Sequence, residues 1–174
     1  YPDAEALRMA RASGSWPPVQ AGPHSTLYDA VMGRNAAEVS RLLREGASLE
    51  EGKRGITPLM LAIATDQFAI ATQLVDAGAD VFATSPSGET AGSYMRNALY
   101  ETEDGGILYT EGQKEAVTAL KKRLQAKGYP FYHEKLSSGV NPYNPDALYP
   151  YPGPTPEEVL KMKSEGKWPP VQGE

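Results

Sequence analysis

One stretch of 25 residues sets the strongest limit on how this chain can fold. Residues 55–79 read G-I-T-P-L-M-L-A-I-A-T-D-Q-F-A-I-A-T-Q-L-V-D-A-G-A. Thr57 can cap a helix whose first position is Pro58, where no amide donor is needed. Apolar residues then recur at helical spacing, and Gly78 stands where a left-handed residue ends a second helix. The stretch therefore predicts two short helices joined by a turn.

The same pattern occurs on both sides of this stretch. Upstream, Gly46 precedes Gly78 by 32 residues, and downstream Thr90 follows Thr57 by 33 residues. A single unit of this kind cannot bury the apolar faces of its helices alone, so such units are stable only when they stack. We therefore expect a short stack of helix pairs.

From its T-P-L-x-x-A start to its L-V-x-x-G-A end, the stretch resembles one ankyrin repeat. The resemblance covers residues 24–129 as about three repeats. It implies an all-α fold: a short ankyrin-repeat solenoid of helix-turn-helix units with N- and C-terminal helix-plus-extended arms. Ankyrin repeats present a surface to another macromolecule and rarely carry chemistry. The resemblance therefore implies a binding protein that is not an enzyme and needs no cofactor.

Three regions follow from the pattern and the composition. Residues 1–22 are an N-terminal arm with a short helix and the word W-P-P-V-Q. Residues 23–129 hold the repeats. Residues 130–174 hold a strap rich in proline and tyrosine, a short helix and a second W-P-P-V-Q.

The third repeat carries an acidic, glycine-rich insertion, predicted at residues 100–112. Gly128 lies 50 residues after Gly78, which is about 17 more than the period of the family. One interpretation is an acidic finger that projects from the stack and speeds association with a basic partner. The alternative is a solvated loop without such a role.

The two arms share a word that the repeats do not explain. Trp16 and Trp168 each begin W-P-P-V-Q, at an offset of 152 residues. The paired prolines hold an extended backbone, and the indole offers a large apolar face with one donor. Both words pack as equivalent arms on the stack, or one or both dock into a partner, or the arms pair with each other.

The Pro- and Tyr-rich run at 141–154 is either a strap over the stack or a ligand for a proline-recognition module.

Composition and motifs exclude several classes of function. The chain has 174 residues, a formal net charge of −5, two histidines and no cysteine. An acidic excess disfavours binding to nucleic acid. No apolar stretch approaches the roughly 20 residues that a membrane span needs. Without cysteine there is no disulfide or thiolate metal site. No catalytic or nucleotide-binding motif is present, so a small enzyme that uses His133 is the weakest hypothesis.

The first residue bears on the compartment. The chain begins at Tyr1 rather than Met, which fits either a fragment or a chain whose leader has been removed. Removal of a leader favours a periplasmic or otherwise exported protein, and a cytoplasmic protein is the alternative.

The expected partner is one protein, a toxin or an enzyme, bound by a chain that is a monomer alone and a heterodimer with its partner. Small acidic ankyrin-repeat proteins resemble bacterial immunity proteins that neutralise a co-encoded toxin; an adaptor that recruits a client without inhibiting it is the alternative. Members of the family bind through the turn tips and the concave face of the first helices. Carried over by motif position and extended to the insertion, the predicted contact residues are Arg34, Lys53, Arg54, Ile56, Thr65, Ser87, Glu89, Tyr94, Asn97, Tyr100, Glu101, Glu103, Asp104 and Tyr109.

Overall fold

The computed structural model of the protein describes residues 4–13, 18–103, 106–131 and 153–170. Within these ranges the secondary structure is helical, apart from one isolated antiparallel bridge between Lys53 and Ile56. The helices are α1 (Ala4–Ala12), α2 (Leu27–Met32), α3 (Ala36–Arg44), α4 (Pro58–Ala64), α5 (Phe68–Asp76), α6 (Ala91–Tyr94), α7 (Arg96–Glu103), α8 (Glu111–Ala126) and α9 (Pro156–Ser164). The predicted all-α fold of stacked helical repeats is confirmed.

The repeats are built from first helices that stack on first helices and second helices that stack on second helices. Helix α2 packs against α4, and α4 packs against α6. In the second layer α5 packs against α8. One continuous core runs through both layers, with fully buried side chains such as Leu27, Val31, Leu59, Ile63, Leu74, Met95, Leu99, Leu120 and Leu124.

A threonine caps the start of every first helix. The hydroxyls of Thr26, Thr57 and Thr90 accept hydrogen bonds from the amides three residues further on. Each cap satisfies an amide in the first turn that has no partner within the helix. Pro58 occupies the first turn of α4, as the sequence predicts.

Left-handed glycines end the second helices. Gly46, Gly78 and Gly128 follow α3, α5 and α8 with φ angles of 74°, 102° and 94°. A side chain would be strained in this conformation, which glycine adopts without a steric cost. The predicted helix ends are therefore confirmed in all three repeats.

The third repeat departs from the expected loop. Its first helix, α6, spans four residues, and a further helix, α7, follows it before α8 begins. Residues 100–103, predicted as part of an inserted loop, form the last turn of α7, and Asn97 lies in α7 rather than at the end of the first helix. The helix forms because Ala98 and Leu99 are buried in the core, with α7 packed against α8.

A close contact fixes the end of α8 against α6. The hydroxyl groups of Thr90 and Tyr129 share a hydrogen bond in the core. Gly92 lies directly against the Tyr129 ring, so that a Cβ atom there would overlap the ring. Tyr129 is 3% exposed and stacks on Phe82 with a centroid distance of 6.3 Å. The absence of a side chain at Gly92 is therefore what admits the tyrosine.

The C-terminal helix covers the turn before α6. Thr155 precedes helix α9 and forms a capping box with Glu158, and Pro156 of the helix lies over Gly88. The Trp168 indole donates a hydrogen bond from Nε1 to the carbonyl oxygen of Phe82 at 2.9 Å, and its ring meets those of Phe82 and Tyr129 edge-on. Trp168 therefore packs on the stack, as the packing interpretation expects, while Val171 and Gln172 of the same word lie outside the described residues.

The first word contacts a different repeat. Its residues Trp16 and Pro17 lie outside the described part of the chain. Gln20 donates its backbone amide to the carbonyl of Gly33 at 2.8 Å, and its carbonyl accepts from the Asn35 side chain at 3.0 Å. The end of this word is therefore held at the turn between α2 and α3.

The Pro- and Tyr-rich run at 141–154 is described only from residue 153 onward.

The contact at Gly92 predicts a large difference between two glycine-to-alanine changes. Gly92→Ala forces a methyl group into the buried Tyr129 ring and should lower the free energy of unfolding by about 1–3 kcal/mol. Gly112→Ala is the control, because its nearest neighbour to a new Cβ is Thr110 Oγ1 at 3.9 Å. The control should be neutral or stabilising by up to about 1 kcal/mol. Urea unfolding measures both, and equal values would contradict the role given to Gly92.

The packing of Trp168 predicts a protected fluorophore. In a Trp16→Phe background the tryptophan emission comes from Trp168 alone, and acrylamide should quench it several-fold less in the folded protein than in urea. The emission maximum should also lie at a shorter wavelength when the protein is folded. Quenching of equal strength in both states would show that the indole is not packed.

Candidate protein-binding surface

The first helices and the turns that precede them share one surface, here called the inner face. Its exposed and half-buried side chains are Asp29, Lys53, Arg54, Glu89 and Tyr94. Tyr28 is buried beneath Lys53, and Arg96, the first residue of α7, lies beside Glu89. Two turns contribute to it: the first finger (residues 52–56) and the second finger (residues 85–89). The predicted contact residues Lys53, Arg54, Glu89 and Tyr94 all belong to the inner face.

Lys53 is tied to the first helix of the preceding repeat. Its Nζ lies 2.9 Å from Asp29 Oδ1 and 5.4 Å from the centroid of the Tyr28 ring. The hydrogen bond from Lys53 holds the pKa of Asp29 below its ordinary value, and the same bond raises the pKa of Lys53. The lysine therefore stays cationic beside Asp29.

The first finger is a tight hairpin that holds Arg54 in solvent. Lys53 and Ile56 exchange backbone hydrogen bonds of 3.1 Å and 2.9 Å. Between them Arg54 has a φ of 55°, a left-handed conformation that is uncommon for a residue with a side chain. Ile56 packs partly against the core, so it anchors the hairpin, while Arg54 is exposed at its tip.

The second finger adds the carboxylate of Glu89 to the inner face. The Ser85 hydroxyl lies 2.9 Å from that of Ser87 and accepts from the Glu89 amide at 3.1 Å. Glu89 in turn accepts a hydrogen bond from Ser93 and lies 3.9 Å from Arg96. The carboxylate is thus fixed beside α6, and Ser87 is exposed at the tip of the finger.

Tyr94 is the last residue of α6 and is half-buried. Burial raises the pKa of its hydroxyl, and the charges of Glu89 and Tyr28 add to the rise. The phenol therefore stays neutral and can donate a hydrogen bond throughout the physiological range.

The turns between the helices of each pair are linked to one another. Arg34, with a φ of 56°, donates from a terminal guanidinium nitrogen to the Thr65 carbonyl at 3.0 Å. The Thr65 hydroxyl donates back into α4, to Leu61, at 2.7 Å. These two predicted contact residues are brought together, at the ends of the first helices opposite the fingers.

The expectation of a projecting acidic finger is wrong for Glu101. This side chain is 7% exposed and accepts the Leu108 amide at 2.8 Å. The carboxylate turns inward because the backbone of the following loop supplies it with a donor. Glu103 is exposed but bonds to Lys121 at 2.6 Å, and Asp104 lies outside the described residues.

The insertion is bound to the second repeat by Tyr109. Its hydroxyl donates to Asp66 Oδ1 at 2.6 Å, and its ring is tilted on Phe68 at a centroid distance of 5.8 Å. Burial and the bond to Asp66 raise the pKa of Tyr109. Tyr100 is half-buried and Asn97 is exposed, and both lie in α7.

Sequence reasoning missed two features of these surfaces. It did not assign Tyr28 and Asp29, which hold Lys53 in place. It also passed over Ile107 and Leu108, which are 92% and 78% exposed. The second pair had a visible signal, since two adjacent large apolar residues follow a glycine pair in a segment otherwise read as polar.

The described residues contain no group of three or more His, Cys, Asp or Glu side chains placed to hold a metal ion. In the same part of the chain no helix has the length and apolar character needed to cross a membrane. His133 lies outside the described residues.

Similarity to known proteins centres on the second repeat. A family model for the ankyrin repeat matches residues 54–86. Among solved structures, the chain is similar to the ankyrin repeat domain of Bcl-3, described as a unique member of the IkappaB protein family, with 21% identity and a TM-score of 0.45. That match covers 79% of this chain and 50% of the other, so this chain spans half the length of that structure. A search of curated proteins finds no match.

The ion pair on the inner face predicts a specific change in one titration. Lys53→Met removes the bond that lowers the pKa of Asp29, so the carboxyl should titrate at higher pH, measured by NMR of the side-chain carbon. Because the folded-state pKa is lowered, the pair stabilises the protein above the ordinary Asp pKa, and this stabilisation is lost as the pH falls through the folded value. Glu165, whose pKa is lowered by Lys167, should not change. Movement of both groups, or of neither, would contradict the assignment.

Proposed function

We propose that this chain, which matches the ankyrin-repeat family model at residues 54–86, binds one specific protein partner. The binding surface is the inner face. Ankyrin repeats are protein-binding scaffolds that act through an exposed surface rather than through chemistry. The observation that carries the proposal is the arrangement on that surface of Lys53, paired with Asp29, together with the exposed Arg54 and the half-buried Tyr94.

Contacts within the chain orient part of the inner face. Lys53 is held by Asp29 and Tyr28, and the left-handed backbone at Arg54 fixes the direction of the first finger. Ordered side chains lose less conformational entropy on binding, which favours affinity. Tyrosine and arginine are also the residue types that contribute most to binding energy at interfaces.

The charges on the inner face indicate what the partner presents. On the first finger Lys53 is paired with Asp29 and Arg54 is exposed, and on the second finger Glu89 lies 3.9 Å from Arg96. A complementary partner would place an acidic group opposite Arg54 and a hydrogen-bond donor opposite Glu89. Such complementarity sets orientation and speeds encounter more than it raises affinity.

The finer form of the proposal is neutralisation. A bacterial neutraliser of a toxin, acting in the periplasm if the chain is exported, binds one-to-one and blocks the active site of its partner. An adaptor also binds through the inner face, but its client stays active. The activity of the partner in the saturated complex distinguishes the two: loss supports neutralisation, and retention supports an adaptor.

The binding proposal is tested by charge reversal at the first finger. The partner is first isolated with the full chain as bait, and its affinity is then measured by calorimetry. Arg54→Glu should weaken binding by at least tenfold, which corresponds to about 1.4 kcal/mol. Lys122→Glu is the matched control, since Lys122 is exposed on α8 away from the fingers, and it should change the affinity less than about twofold.

Equal affinities of the wild type and Arg54→Glu would place the binding site elsewhere on the chain. A chain that retains no protein partner under these conditions would contradict the proposed function itself.

A further inference from the structure

Two adjacent aliphatic side chains stand in solvent at the end of the insertion. Ile107 is 92% exposed and Leu108 is 78% exposed. We call this pair the apolar tip. Single exposed apolar residues are ordinary, but two large neighbours on one loop leave apolar area uncovered that burial against another surface would remove from water.

The apolar tip is held in place on both sides. The Leu108 amide donates to the buried Glu101 carboxylate at 2.8 Å, and the buried Gly106 lies against the same side chain. On the other side Tyr109 is bonded to Asp66 and packed on Phe68. The Leu108 amide and the Tyr109 hydroxyl therefore form hydrogen bonds within the chain, while the side chains of Ile107 and Leu108 face solvent.

The border of the apolar tip is acidic. Asp66 is exposed next to Tyr109, and the Glu111 side chain is 88% exposed at the start of α8. Lys114 lies 3.7 Å from Glu111, and Lys121 is bonded to Glu103. In each pair the carboxylate is more exposed than the cation: 88% against 26% for Glu111 and Lys114, and 36% against 19% for Glu103 and Lys121. The more exposed charges beside the tip are therefore acidic.

We infer that the apolar tip inserts into an apolar pocket of the protein partner whose rim carries lysine or arginine. The inference rests on the proposed function and adds a second point of contact to the inner face. A second copy of this chain is a poorer occupant, because it would bring Asp66 and Glu111 against the same acidic groups. Charge complementarity therefore favours a different protein with a basic rim.

The test compares truncations of exposed apolar side chains at two places on the chain. Ile107→Ala with Leu108→Ala should weaken binding of the purified partner by about thirtyfold or more, as expected for residues that fill a desolvated pocket. The control is Met9→Ala, since Met9 is 64% exposed elsewhere on the chain. It should change the affinity less than about twofold. All three side chains are exposed, so both variants should keep the unfolding temperature of the wild type.

The chemistry of the pocket is tested by cross-linking and by charge. The full chain with Leu108→p-benzoylphenylalanine is the probe, and the same substitution at Ala126, exposed at the far end of α8, is the control. The probe should join a partner peptide that is apolar and flanked by lysine or arginine. Glu111→Gln should slow association at low salt, whereas Glu157→Gln on α9 should not.

The outcomes separate this inference from the proposed function. If the wild type binds its partner and the Ile107 and Leu108 truncations bind equally well, the apolar tip is not a contact and the proposed function stands. If the wild type dimerises in sedimentation experiments and the truncations abolish only the dimer, the occupant is a second copy and the inference is overturned. If Arg54→Glu has no effect while the truncations do, the tip is the contact and the inner face is not.

Discussion

The fold depends on one repeated hydrogen bond, from a first-turn amide to a threonine hydroxyl. Thr26, Thr57 and Thr90 fix where α2, α4 and α6 begin. Because the first helices start at equivalent points, their buried faces meet at the same height when the repeats stack. A lost cap costs about 1 kcal/mol, and it also removes a constraint on the register that the core requires. Because the two fingers lie just before the caps Thr57 and Thr90, the positions of these caps also set the spacing of the fingers.

The parts of the fold that sequence predicted are those that a few neighbouring residues determine. Thr57, Pro58 and Gly78 act within one helical turn, so their roles could be read directly from the chain. Helix α7 could not be predicted from the sequence in this way, because its course depends on burial of Ala98 and Leu99 against α8. The packing of α9 on the second finger likewise depends on contacts between residues distant in sequence.

The candidate surfaces show the same division. Motif position predicted Lys53 and Arg54 on the first finger, but not Asp29, which lies in the preceding repeat and holds Lys53 in place. The insertion was interpreted from its acidic composition, which does not reveal the direction of a side chain. The structure turns the Glu101 carboxylate inward and leaves Ile107 and Leu108 outside. Charge composition alone therefore predicted the opposite character for the exposed end of this loop.

The position of α9 has a consequence for assembly. A stack of repeats is a head-to-tail structure, and an uncovered end can accept another copy and grow into an open filament. Here Pro156 lies over Gly88, and Trp168 lies over Phe82, at the turn where a further repeat would dock. A further repeat, or a second copy stacked in the same way, would have to displace α9 before it could pack at this turn.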